Sequence, residues 1–175
     1  QNGQKYKEDR NRFLGTATLR YDITDWLYAQ GRFNYDRGDN FAEWFTLNGN
    51  GANTRIATTT PTVTYRGGYN LNKTTTTDIN ADFLVGTSHQ IGKFSVDANV
   101  GGNTLRSEWK NIVQTATNFT VPDLYSYRNG TVKGAGDGYN YSQQRVNSLY
   151  GSLELGYNGL LFINATGRND WFSIL

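Results

Sequence analysis

The chain has 175 residues, with 20 glycines, 14 % aromatic residues, no cysteine and a formal net charge of +2. That length suffices for one domain with a sizeable core, while the absent cysteines exclude a disulfide framework and thiolate metal sites, and the scattered, nearly balanced charge gives no footprint for nucleic acid. No apolar run approaches the roughly 18 residues that a membrane helix needs, but a membrane-crossing strand needs only about 10, and half of those can be polar.

The opening "QNGQKYKEDRNRF" is polar throughout and carries no signal-peptide pattern. With the abrupt end at "WFSIL", it favours a stretch of a longer chain. The first predicted strand lies near 11–22, where Phe13, Gly15, Ala17, Leu19 and Tyr21 alternate with polar residues. "DITDW" (22–26) turns the chain into a second strand near 27–37, with Leu27, Ala29, Gly31, Phe33 and Tyr35 on one face. Residues 38–76 read as a long loop through "GNGANTRIATTTPT" and "NLNKTTTT", although "TYRGGYNL" (64–71) also reads as a strand extension. A third strand near 77–87 places Ile79, Ala81, Phe83 and Val85 together. "GTSHQIGK" (86–93) turns into a fourth near 93–104, with Phe94, Val96, Ala98 and Val100. Residues 105–144 form a second long loop containing "VPDLYSYRNGTVKGAGDGYNY". Strands near 145–157 and 160–168 follow, joined by "YNGLL" (157–161). They align Leu149, Gly151, Leu153, Leu155 and Tyr157 with Leu161, Ile163, Ala165 and Gly167.

None of these apolar-face residues is charged. The opposite faces carry Arg12, Arg20, Asp22, Arg32, Asp36, Asp78, Asp82, Asp97, Glu154 and Arg168. A soluble β-sandwich and a membrane barrel both produce such a contrast. Three features favour the barrel. The apolar face is rich in Gly and Ala, which fill a protein core poorly but suit fluid lipid. Aromatics sit at strand ends, with Trp26 in a turn and Trp171 just past a strand, as in an interfacial belt. Strands of 10 to 12 residues are long for a sandwich, and at about 3.3 Å per residue and a tilt near 45° ten residues span roughly the 25 Å apolar band. The strict alternation of short and long connections also fits outer-membrane barrels. Six strands do not close such a barrel, and lipid tolerates no open edge. The expected fold is therefore all-β: about six strands of a larger antiparallel transmembrane barrel with long extracellular loops.

"ATGRNDWFSIL" (165–175) closely resembles the "TGRNDWSS" segment of the SusC/RagA family of TonB-linked outer-membrane transporters of Bacteroidetes. "RVNSLYGSLELGYNGLLFIN", "YDITDWLYAQGRFNYD", "TTDINADFLVG", "FSVDANVGGN" and "VPDLYSYRN" resemble further strands and a loop of that family, so the likeness covers most of the chain from about residue 10. It implies a barrel of 22 strands with an N-terminal plug, in the bacterial outer membrane. It implies a SusD-like surface lipoprotein as lid and energy relayed by TonB, ExbB and ExbD for import of oligosaccharides or peptides. The plug, the TonB box and the N-terminal extension are not visible in this sequence.

Gly167, Arg168, Asn169, Asp170 and Trp171 mark the family motif, read as a strand-to-loop junction where Arg168 and Asp170 can pair. Trp109, Tyr125, Tyr127, Tyr139 and Tyr141 read as outer-loop aromatics that either contact ligand or lipoprotein or pack loop against loop. His89 reads as a solvated turn residue without partners for metal or catalysis. "DRGDN" (36–40) and "GAGDGYNY" (134–141) lack the ligand spacing of calcium or phosphate loops. No catalytic residue, metal ligand or cofactor site is expected, and the lumen-side charges read as a hydrated wall. Two other readings stay open: a structural barrel component of a secretion or surface-assembly machine, and a soluble carbohydrate-binding β-sandwich.

Overall fold

The computed structural model describes residues 4–47 and 66–174. The strands are β1 (Gln4–Thr24), β2 (Leu27–Thr46), β3 (Gly68–Ile91), β4 (Phe94–Phe119), β5 (Gly130–Lys133), β6 (Gly138–Tyr157) and β7 (Leu161–Ile174). They form a single antiparallel sheet in the order β1-β2-β3-β4-β6-β7, with β5 added to β4. The sheet is all-β and not closed, so β1 and β7 are its edges among the described residues.

Each long strand runs past the bounds read from the sequence. β3 begins at Gly68 rather than near 77, β4 reaches Phe119 rather than 104, and β6 begins at Gly138 rather than 145. Much of the two expected long loops is therefore strand. The reason is local: "NKTTTTDIN" is rich in β-branched threonine, and strand pairing needs extended backbone and a partner rather than an apolar face. The "GNGANTRIATTTPT" part of the first loop lies outside the described residues. "DRGDN" lies inside β2, and His89 lies in β3 rather than in the turn, which is confined to Gly92 and Lys93.

The short turns follow their sequence chemistry. Thr24 Oγ1 accepts from the Leu27 N–H at 3.1 Å, closing the β1–β2 turn. Gly92 turns β3 into β4 at a φ of 63°, and Asn158 and Gly159 turn β6 into β7 at 53° and 68°. These are left-handed values that Asn and Gly adopt at least cost.

The chain divides into two compact units. The first comprises residues 1–12, 38–75 and 109–141; the second comprises 13–37, 76–108 and 142–175. The core of the first unit is Tyr69, Ala116 and Phe119, with Phe45, Leu71, Tyr125 and Tyr127 packed against it. Asn129 anchors the connecting segment there. Its Oδ1 accepts from the Val121 N–H at 2.9 Å, and its Nδ2 donates to the carbonyls of Val121 and Leu124, both at 2.7 Å. Asp137 Oδ1 receives the Thr115 N–H at 2.6 Å, fixing the entry to β6.

Candidate functional site

In the second unit the two faces of the sheet differ as the alternation requires. The apolar face stands open to the surroundings: Leu19 is 77 % exposed, Phe83 57 %, Phe94 59 % and Ile163 62 %. Aromatic pairs lie towards its ends. Phe94 and Tyr157 meet beside the short turns with ring centroids 5.0 Å apart, and Phe13 and Tyr35 meet at 6.0 Å. A shallow groove of about 520 Å³ between β4, β6 and β7 is lined by Phe94, Val96, Leu155, Tyr157, Leu161 and Ile163. A water-soluble monomer rarely leaves so continuous an apolar surface uncovered.

The polar face is knitted by side chains. Arg32 Nε donates to Asp82 Oδ2 at 2.8 Å. Asn99 donates to Ser152 at 2.7 Å, Thr16 to Asn34 at 3.0 Å, and Asn103 to Asn80. Arg20 lies over the Tyr28 ring at 3.8 Å. Two glycines admit tyrosine rings: a Cβ on Gly86 would come within 2.4 Å of Tyr28, and one on Gly101 within 2.8 Å of Tyr150.

Gly167, Arg168, Asn169, Asp170 and Trp171 do not form a strand-to-loop junction. They lie within β7, paired with Gly151, Tyr150, Leu149, Ser148 and Asn147 of β6. The strand continues because β6 itself extends far enough to offer a ladder. Arg168 and Asp170 do pair, at 2.8 Å. Arg168 Nη2 also donates to Ser148 Oγ at 2.9 Å, and the Ser148 hydroxyl is hydrogen-bonded to Asp170. The three side chains close a ring of hydrogen bonds across β6 and β7.

The five aromatics do not gather at one loop. Trp109 belongs to β4, and Tyr139 and Tyr141 belong to β6. Only Tyr125 and Tyr127 lie in the segment between β4 and β5. Tyr125 packs edge-on against Phe45 and Phe119, with ring centroids 5.7 Å apart in both cases. Tyr127 has the Lys133 ammonium 4.2 Å from its ring centre. Its hydrogen bond to Asp137, with lesser help from burial and the carboxylate charge, pushes its phenol above the ordinary tyrosine range. Lys110 reaches towards the Tyr141 ring at 5.8 Å.

No protein-family model and no curated relative matches the chain. Solved structures do. The structure of the RagAB peptide transporter matches with a TM-score of 0.83 over 97 % of this chain, at 11 % identity. The RagAB peptide importer matches in its closed-closed state with 0.82 over 99 %, and in its open-open state with 0.81 over 98 %, both at 12 % identity. In fold, the chain is similar to part of the RagAB peptide transporter. The chain spans 18 % of the length of each RagAB chain it matches.

Within this RagAB-like fold one cluster escaped the sequence reading. Tyr6 and Trp44, on β1 and β2 in the first unit, bring their rings to 5.1 Å, tilted by 41°. Between them and Asn40 lies Glu8, which accepts hydrogen bonds from the Tyr6 hydroxyl, the Asn40 amide and Arg10. These bonds, Tyr6 first and Arg10 second, hold the Glu8 carboxyl below its ordinary value. The signal was present: Tyr6, Glu8 and Arg10 alternate with Lys5, Lys7 and Asp9. With charge on both faces, the segment reads as a polar tail rather than as a strand.

Proposed function

We propose that this chain forms part of the wall of a nutrient importer in the bacterial outer membrane, taking up oligosaccharides or peptides by TonB-dependent transport. The observation that carries the reading is the open apolar face of the second unit. It has aromatics towards its ends and a hydrogen-bonded polar face behind it. Hydrocarbon wets the first face, and water in the barrel lumen wets the second. β1 to β4 hold 20 to 26 residues each, about twice what a tilted strand needs to cross hydrocarbon. The second unit supplies the lipid-crossing band. The fold likeness to a peptide transporter supports transport as the role and favours no covalent chemistry.

On this reading a SusD-like surface lipoprotein and the TonB–ExbB–ExbD relay are the partners, the latter acting through a plug and TonB box outside this sequence. Trp109, Tyr125, Tyr127, Tyr139 and Tyr141 are the proposed ligand-side or lipoprotein-side aromatics. Tyr125 and Tyr127 act by shaping the segment they pack, and Trp109 and Tyr139 act by direct contact. The motif Gly167–Trp171 serves as a strand-pairing element.

The test is fractionation and uptake with the intact protein. It is expected in the outer-membrane fraction, resistant to alkaline extraction, with heat-modifiable mobility in detergent. Uptake of its nutrient should vanish in a strain lacking TonB. Recovery as a soluble monomer overturns the reading. Membrane residence with TonB-independent function would favour the surface-assembly alternative.

A further inference from the structure

We propose that Tyr6, Trp44, Glu8 and Arg10 form a binding subsite for a neutral saccharide; this deepens the importer reading and rests on it. Tyr6 is 53 % exposed and Trp44 40 %, although large aromatic rings usually bury themselves where they can. Both residues stand at even positions of adjacent strands, as do Glu8, Arg10 and Asn40. The rings are therefore held on the sheet face beside a hydrogen-bonding cluster.

Glu8 is the hub. It receives the Tyr6 hydroxyl, the Asn40 amide and the Arg10 guanidinium, the last at 2.5 Å from Nη2 and from Nε. Only 22 % of the Glu8 side chain is exposed, against 73 % of Arg10. Glu8 thus positions the other groups, and Arg10 keeps N–H donors directed to solvent. The carboxylate and guanidinium cancel, so the patch carries no net charge of its own. Lys7 and Asp9, at odd positions, pair with each other at 3.4 Å.

This chemistry selects its ligand. A pyranose offers apolar C–H faces to the two tilted rings and a rim of hydroxyls to Arg10. It brings no charge to compete with the ion pair. A peptide held here would want main-chain partners. β1 uses one edge of its backbone in the β1–β2 ladder, and backbone groups lie in the plane of the sheet, so the face that carries the two rings offers side chains. The pre-set geometry lowers the ordering cost of binding.

The test is isothermal titration of the intact protein in detergent micelles with maltohexaose, cellohexaose and xylohexaose, and with an uncharged blocked hexapeptide as control. At least one hexasaccharide should bind. Trp44→Ala should weaken that binding about tenfold, while Trp44→Phe should stay within about threefold of the parent. Arg10→Gln, at a side chain that is 73 % exposed, should weaken binding without changing heat-modifiable mobility. Absence of binding by all three hexasaccharides overturns the proposal, as does binding indifferent to both Trp44→Ala and Arg10→Gln. Hexapeptide binding that depends on Trp44 also overturns it. In each of these cases TonB-dependent uptake can persist, so loss of the subsite and loss of the importer reading are distinguishable.

Discussion

Arg32 and Asp82 stand 50 positions apart in sequence, yet Arg32 Nε reaches Asp82 Oδ2 at 2.8 Å across β2 and β3. The Asp82 side chain is only 6 % exposed, whereas that of Arg32 is half exposed. The guanidinium thus covers the carboxylate and remains wet itself. Arg32→Ala should leave Asp82 enclosed without its partner and lower the unfolding midpoint. Asp82→Asn, which removes the charge but keeps an acceptor, should cost less. The midpoint of denaturant unfolding of the intact protein in detergent measures both.

Ala165 and Thr166 are neighbours in β7, on opposite faces and opposite Leu153 and Ser152. On the proposed importer reading, lysine at Ala165 stands in hydrocarbon and lysine at Thr166 in water. Ala165→Lys should cost about 2–4 kcal/mol, and Thr166→Lys should be nearly neutral. Equal effects of the two substitutions on folding into lipid vesicles would remove the basis for assigning lipid to the odd face of β7.

Gly86 leaves room for the Tyr28 ring, which in turn carries Arg20. Gly86→Val should cost about 1–3 kcal/mol by pushing the ring aside. Combining it with Tyr28→Ala should recover part of that loss. A double-mutant cycle reads the coupling, and strict additivity would show that the ring does not use the space.

Asn129 satisfies three backbone groups within one segment. Asn129→Ala should cost about 1–3 kcal/mol locally. Hydrogen exchange should speed up at residues 121–129, while β6 and β7 stay protected.

Tyr69 donates to Glu43 at 2.7 Å, and burial first, then that carboxylate, raise its phenol above the ordinary value of 10.0. The folded state therefore keeps this proton at a pH where the unfolded chain has lost it. The stabilisation is complete below about pH 10 and is lost as pH rises beyond it towards the folded value. Tyr69→Phe should make the unfolding midpoint fall less steeply between about pH 9.5 and 11.5.

Alternation near Phe13–Tyr21, Leu27–Tyr35 and Leu149–Tyr157 was enough to read an all-β fold with one apolar face. A period of two fixes which side chains share a side, whatever the partner strand. Strand extent was not legible in the same way. Residues 38–46, 68–76, 105–119 and 138–144 carry polar side chains on both faces, so periodicity fades while the ladder continues. The motif around Arg168 shows the same limit. Its five residues are recognisable, but their place inside β7 depends on β6 reaching far enough to pair with them.

The candidate site divides along that line. The sequence by itself determined which residues face apart within each strand and that one face carries no charge, because alternation is a property of a single extended chain. Only the tertiary structure decided which strands lie side by side. It therefore decided that Tyr6 meets Trp44, that Arg32 covers Asp82, and that Tyr125 packs against Phe119 instead of standing free. Contacts between distant residues follow from register, and register is fixed by two strands together.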